Sequence, residues 1–360
     1  MKTNTKNRIV TIGFAIILIL VLVANIITKD KEISLTERRR LAQFPETSIQ
    51  QIFNGNLAKM FDEYSVDQFI LRDLFRSIKA YNSILFFNQK DDNKLFVKDD
   101  RIYKMEYPLN SNNVQKSANK INEIYTKYLK NMNVYYSIIP DKNYYIENDD
   151  HLKMDYSKLI SILNNTLSEM KYIDIIQSLE LDDYYRTDLH WRQEKLNKVV
   201  DTIRKNMDLN DRQNIYETKD IGEYYGTYYG QLGIKVMPDD MYILTNNVLE
   251  KCTAYNLETG EYEKIYSQKK KTDKYDVYLS GATPLITIEN PESNTEKELL
   301  LFRDSFGSCL APLLVQDYKK ITLVDIRYIS SKLLNQYIEF NNQDVLFLYS
   351  SIILNQNIFK

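Results

Sequence analysis

Reactive side chains are scarce in this sequence. It holds two cysteines, Cys252 and Cys309, two histidines, His151 and His190, and one tryptophan, Trp191. The cysteines form no CxxC pair and no zinc-type spacing, which argues against a structural zinc site. Nothing in the sequence ties them into a disulfide. Cys309, four residues after Ser305 in an apolar run, reads as a small buried hydrophobe. A surplus of one charge is also missing: charged residues make up 27% and the formal net charge is −2. No broad field draws in nucleic acid, and no basic cluster interleaved with aromatics lies outside the N-terminal region. The residues call for no metal and no cofactor. A second long apolar run is absent, so the bulk of the chain lies on one side of any membrane that the first run crosses.

That first run, Ile9 to Thr28, is almost wholly apolar, and roughly twenty residues at helical rise span a bilayer core. It is longer than the apolar part of an ordinary signal peptide, and no small-x-small cleavage site follows Ala24. An uncleaved signal anchor, within residues 1–32, is the expectation. Lys2, Lys6 and Arg8 precede the run while Lys29, Lys31 and Arg38 to Arg40 follow it, so flanking charge does not favour the usual placement of the N-terminus inside. A long following domain translocates regardless of such charge. The main domain is therefore expected outside the cytoplasmic membrane.

Residues 33–107 read as a lead-in of short helices. Ile52, Leu57, Phe61 and Tyr64 recur at helical spacing, as do Leu71, Leu74, Phe75 and Ile78. A hairpin is expected from Lys94 to Lys104 around Asp99–Asp100. From residue 108 helix and strand alternate. Val114 to Tyr128, Leu159 to Met170 and Leu196 to Met207 carry helical faces; Val134 to Ile139 and Tyr172 to Ile176 read as strands. Residues 208–297 break the rhythm. They are polar and tyrosine-rich, with short runs at Val277–Leu279 and Leu285–Ile288, and read as an insertion or β-rich subdomain. The 29 tyrosines are mostly packing residues, although flat rings also suit sugar surfaces. The alternation then resumes: strand Leu299–Phe302, helix Phe306–Leu314, strand Ile321–Ile326, helix Leu333–Ile338, strand Val345–Tyr349. This pattern predicts a three-layer α/β/α domain over 108–360 with a parallel sheet.

Ligand sites in such sheets gather beyond the carboxyl ends of the strands. Arg303-Asp304-Ser305-Phe306-Gly307 occupies that place. A serine there presents its hydroxyl at a turn, and amides at the following helix start can stabilise an oxyanion. A hydroxyl needs a base. His190, in Thr187-Asp188-Leu189-His190-Trp191, is one candidate; His151, after Asp149 and Asp150 in a turn-like segment, is the other. In an extended segment residues i and i+2 point the same way, so Asp188 can approach the His190 ring and fix its tautomer. The plainer readings stand beside this one. Ser305 and Asp188 are both suited to capping helices, and Trp191 to anchoring the core.

The block Tyr185-Arg186-Thr187-Asp188-Leu189-His190-Trp191 resembles the signature of the DHHW proteins, relatives of the SGNH hydrolase-like proteins of alginate O-acetylation. Glu37-Arg38-Arg39-Arg40-Leu41-Ala42-Gln43-Phe44-Pro45, Phe69-Ile70-Leu71-Arg72-Asp73, Pro140-Asp141-Lys142 and Arg303-Asp304-Ser305-Phe306 resemble further blocks of that family, in its order. The resemblance implies an SGNH hydrolase-like fold and a catalytic set of Ser305, His190 and Asp188, with aspartate and histidine preceding the serine. It also implies action outside the membrane, often beside a membrane-bound O-acyltransferase. Two positions depart from the pattern. Leu189 replaces the family's first histidine. Tyr278 to Pro284 is the candidate for a glycine–asparagine block, and it has Ala282 where an oxyanion donor is expected.

The expected activity is O-acyl transfer, in particular O-acetylation of a cell-surface or exported polysaccharide. An acetylesterase would use the same three residues, with water as acceptor. A polysaccharide-binding accessory protein of an acyltransferase, with a weakened site, is the non-enzymatic rival, and Ala282 is the feature that favours it.

Overall fold

Eight strands form one sheet in the computed structural model, which describes residues 3–46, 53–147, 151–209, 215–269 and 272–360. Ile52, Asp149 and Asp150 lie outside the described residues. Two compact units are present: one comprises 1–93 with 229–235, the other 94–228 with 236–360.

In the first unit, helix α1 (Thr3–Ile27) leads to a two-residue ladder, Ile33–Ser34 against Arg39–Arg40. Helices α2 (Asn56–Asp67) and α3 (Arg72–Tyr81) follow. Ion pairs gather the charged residues here: Arg39 bonds Asp67, while Arg72 reaches Glu37 at 2.6 Å and Asp67 at 3.4 Å. Arg76 reaches Glu37 at 3.3 Å. The Glu37–Pro45 block is thus held to the two helices by charge.

The second unit holds the sheet. Its strands are β1 (Asn133–Ile139), β2 (Lys171–Tyr172), β3 (Thr253–Asn256), β4 (Glu261–Lys264), β5 (Leu285–Glu289), β6 (Glu298–Arg303), β7 (Lys320–Val324) and β8 (Asp344–Ser350). Across the sheet they run β4-β3-β5-β7-β6-β8-β1-β2. The pairs β7–β6, β6–β8, β8–β1 and β1–β2 are parallel; β4–β3, β3–β5 and β5–β7 are antiparallel.

Alternation along β6 shows why three layers form. Leu299 and Leu301 enter one core with Val199, Val200 and Ile203 of the helix Asn197–Asn206 and Leu310, Leu313 and Leu314 of the helix after β6. Leu300 and Phe302 enter the other with Val114, Ala118 and Ile121 of Ser111–Ile124 and Leu159 and Leu163 of Tyr156–Thr166. Successive strand residues face opposite sides, so both faces of an apolar strand need a covering layer.

The fold is the expected α/β/α class, with differences of detail. The sheet is mixed, because β3, β4 and β5 from the 208–297 stretch extend its edge antiparallel, while Glu217–Tyr224 and Asp239–Thr245 pair apart from it. The apolar run at Val277–Leu279 is no strand: Lys274–Val277 is a 3-10 turn, and Leu279 and Ser280 have positive φ. Strand β2 stops at Tyr172, and Ser331–Gln336 is 3-10 rather than α-helical. The hairpin forms with strands Leu95–Lys98 and Arg101–Lys104, with Asp99 and Asp100 at positive φ in its turn. Both cysteines are buried and free.

Candidate active site

Strand β6 ends at Arg303 and helix α4 (Ser305–Leu314) starts two residues later. Asp304 makes the turn. Its Oδ1 accepts the Phe306 amide at 3.0 Å, and its Oδ2 accepts the Ser350 amide at 2.8 Å, at the end of β8. One carboxylate therefore caps the helix and ties it to the neighbouring strand, a pairing suited to a helix N-terminus. Capping falls to Asp304, and the Ser305 side chain is left for another partner. Gly307 allows the close packing of this turn: a Cβ there would lie 2.5 Å from the Cβ of Arg303.

The partner comes from a second loop. Tyr184 and Trp191 pair antiparallel, and the segment between them bends back so that the Tyr185 amide reaches the His190 carbonyl at 3.0 Å. The bend is closed by Asp188, whose Oδ1 accepts the His190 amide at 2.9 Å. The same oxygen lies 2.5 Å from His190 Nδ1. Asp188 approaches the ring because its carboxylate folds onto the backbone two residues on, an Asx-type turn, rather than through an extended run. His190 Nε2 then stands 2.7 Å from Ser305 Oγ. His151 instead stacks on Phe96, ring centroids 3.5 Å apart.

Three further contacts hold the carboxylate and its loop. Asp188 Oδ2 accepts the Thr227 amide at 2.5 Å. Lys142, fully buried just beyond the end of β1, donates its Nζ to the carbonyls of Tyr185 at 2.8 Å, Arg186 at 3.1 Å and Asp188 at 2.6 Å. Burial pushes the Lys142 ammonium below its usual pKa, while the nearby carboxylates of Asp188, Asp141 and Asp239 hold it up. Asp239 accepts the Arg186 amide at 2.7 Å and the Thr187 hydroxyl at 2.6 Å. Pro140-Asp141-Lys142 stands out in the sequence as a block, but nothing local marks Lys142 as the clamp of a loop remote in sequence.

The histidine ring is packed as well as bonded. Tyr275 lies parallel to it, with centroids 3.9 Å apart, and Phe306 tilts against it at 4.8 Å. Trp191 is wholly buried; its Nε1 donates to the Phe306 carbonyl at 3.1 Å, so it anchors the histidine loop to the serine helix. Gln193 makes a second tie, from Nε2 to the Cys309 carbonyl at 2.8 Å.

The geometry narrows the supply of oxyanion donors. The Phe306 amide goes to the Asp304 carboxylate and the Gly307 amide to the Asp304 carbonyl at 3.1 Å. The amide of Ser305, first in the helix, has no acceptor within the helix. In the Tyr278–Pro284 segment, Leu279, Ser280 and Gly281 take φ of 54, 60 and 93° in succession. Ala282 brings no side-chain donor to it. No cluster suited to a metal occurs among the described residues.

A hydroxyl, an imidazole and a carboxylate in one hydrogen-bonded line can pass a proton from the hydroxyl to the ring. Comparison with known proteins gives this chain a family. The family model described as DHHW protein matches residues 93–324. A search of curated proteins found no match. Among solved structures, a DHHW family protein from Eubacterium siraeum superposes with a TM-score of 0.63 at 20% identity, covering 74% of this chain and 95% of that one. Bacillus cereus PatB1 gives 0.61 at 19% identity, covering 75% and 99%. PatB1 with a sulfonyl adduct gives 0.58 at 20% identity, covering 74% and 96%. At these identities the likeness is one of fold.

Proposed function

This chain belongs to the DHHW family, and we propose that it is a membrane-anchored, extracytoplasmic O-acyltransferase that moves an acyl group, in the first instance acetyl, onto a hydroxyl of a cell-surface or exported polysaccharide. The observation that carries the reading is the continuous line Asp188–His190–Ser305, with 2.5 and 2.7 Å links.

His190 Nε2 takes the Ser305 proton as Oγ attacks the acyl carbonyl carbon. Asp188 holds the Nδ1–H tautomer and stabilises the imidazolium. The tetrahedral oxyanion receives the Ser305 amide. As the bond from carbonyl carbon to the donor's leaving oxygen breaks, His190 returns the proton to that oxygen, leaving acyl-Ser305. In the second half His190 takes the proton of a sugar hydroxyl, which attacks the ester carbon; Ser305 Oγ leaves and recovers the proton. Water in place of the sugar would give hydrolysis by the same steps, so acceptor binding separates a transferase from an esterase.

Helix α1 supplies the anchor: Asn4–Ile27 is long and apolar enough to cross a membrane. A membrane-bound acyltransferase that delivers acyl groups from inside is the partner this placement suits.

The test is an assay with a chromogenic acetyl ester and a soluble glycan acceptor, reading acetylated glycan and free acetate separately, alongside labelling by a sulfonyl fluoride. Wild type should be labelled at Ser305 and should acetylate glycan, whereas Ser305→Ala should do neither. Acetate release without glycan acetylation would make the protein an esterase; equal activity in Ser305→Ala would remove the triad altogether.

A further inference from the structure

Helix α3 carries an apolar face over most of which no described residue packs. Leu71, Leu74, Phe75 and Ile78 recur at i, i+3, i+4 and i+7, the spacing of one helical stripe. They are 61, 52, 53 and 45% exposed, and Phe69, packed edge-on against Phe75 at 5.8 Å, is 39% exposed. The opposite face is fully engaged: Arg72 and Arg76 pair with Glu37, and Arg76 also donates to the Gly230 carbonyl at 3.1 Å. An unpacked stripe of this size needs a partner.

The position of the stripe identifies it. The turn that opens α3 is bonded to the end of α1: the Ile70 amide donates to Asn25 Oδ1 at 2.8 Å. The preceding residue pair is fixed beside it, with Gln68 Oε1 accepting the Lys31 amide at 3.0 Å and Tyr64 OH donating to Asp30 at 3.1 Å. Asn25 lies two residues inside the end of the apolar helix. The apolar run that starts at Ile9 and ends with the helix at Ile27 matches the roughly 30 Å hydrocarbon core at helical rise, so its last turn lies at the headgroup boundary. Phe69 and Leu71 therefore enter α3 at that level. No protein partner has comparable support on this surface, whereas the bilayer is continuous with it.

We infer that α3 is an interfacial helix: its Phe69–Leu71–Leu74–Phe75–Ile78 face lies in the lipid of the leaflet where α1 ends, with Arg72 and Arg76 turned to the protein. The inference rests on the reading of α1 as a membrane span. Exposed Lys29 and Lys31 at the end of α1 suit anionic headgroups. The leaflet contact gives the lead-in a second attachment, which restrains swivelling about a single helix.

The test uses the full chain in phosphatidylcholine–phosphatidylglycerol vesicles. Phe75→Trp reports the helix, Leu18→Trp the span, and Tyr262→Trp, at a site 64% exposed, an aqueous control; the parent chain gives the background of buried Trp191. Lipids brominated near the headgroup end or near the methyl end of the acyl chains serve as quenchers. The expected result is blue-shifted Phe75→Trp emission, quenched most by the shallow bromines, Leu18→Trp quenched most by the deep ones, and Tyr262→Trp unaffected. Phe75→Trp unquenched beside a quenched Leu18→Trp overturns the interfacial helix and leaves the span standing. Both unquenched overturns the span and the inference together. Catalysis is not read in this experiment, so neither result bears on the triad.

Discussion

The imidazole of His190 lies flat on the ring of Tyr275, their planes 14° apart. Tyr275 is buried, and its stacked face fixes the ring plane that the Asp188 and Ser305 bonds require. Tyr275→Phe keeps the ring and is expected to keep turnover of an acetyl ester within about twofold. Tyr275→Ala is expected to lower kcat on the order of a hundredfold, the usual scale for a misplaced catalytic group. Equal kcat in both variants would remove the stacking role.

Gly226 stands against Asp188: a Cβ would lie 2.3 Å from Asp188 Cβ and 2.5 Å from the Thr187 carbonyl oxygen. Backbone on both sides leaves no room to yield. Gly226→Ala should push the 187–188 backbone away, break the Thr227 bond to Asp188 and lose about 2–3 kcal/mol of stability, as overpacked sites do. Thermal melting and sulfonyl fluoride labelling of Ser305 are the measurements. A variant that melts like wild type and labels at the same rate would contradict this close packing.

Lys142 holds three carbonyls of the histidine loop from inside the core. Lys142→Met fills similar space but leaves those acceptors and the nearby Asp188 without their cation. A loss of about 3 kcal/mol is expected, because orphaned buried acceptors each cost about 1 kcal/mol or more. Ser305 labelling should slow at least tenfold even at a temperature where the variant remains folded by circular dichroism. Unchanged labelling in folded Lys142→Met would reduce the lysine to a purely structural part.

Asp141 caps the turn Lys142–Tyr145 by accepting the Asn143 amide at 2.8 Å, and its other oxygen is buried without a hydrogen-bond partner among the described residues. Burial, and secondarily repulsion from Glu106, pushes its pKa up to about 7. Between the ordinary aspartate pKa of about 4 and that value, the folded chain binds more protons at this group than the unfolded chain, so its contribution to stability falls as pH rises. Asp141→Asn retains the acceptor and removes the titration. Melts across this window should lose up to about 1.4 kcal/mol per pH unit less in the variant than in wild type. Identical slopes would place the pKa near its ordinary value.

How much of this was legible beforehand depends on the range of the interaction. The strand–turn–helix at 298–314 follows from a continuous apolar run broken at Arg303-Asp304, and the closeness of Asp188 to His190 from their separation of two. The role of Asp304 as cap was not visible, since Asp304 and Ser305 are both good caps and only the pairing of Asp304 with Ser350 decides between them. Tyr275 was hidden among many tyrosines, because nothing local distinguishes the one ring that meets His190. The stretch 253–289 looked foreign to the sheet for a similar reason. Its strands are short, and a place on a sheet edge is settled by partners remote in sequence.

The sequence by itself determined the elements that depend on neighbours along the chain: an apolar helix at the N-terminus, alternating strands and helices after residue 108, and the blocks that mark the family. Local periodicity and residue type suffice for these, because an amphipathic pattern allows few arrangements. Tertiary structure alone decided that a hydroxyl at 305 meets an imidazole at 190, that a lysine at 142 clamps the loop, and that a glycine at 226 lets the backbones touch. Such contacts are set by how whole layers pack, and no window of sequence contains both partners.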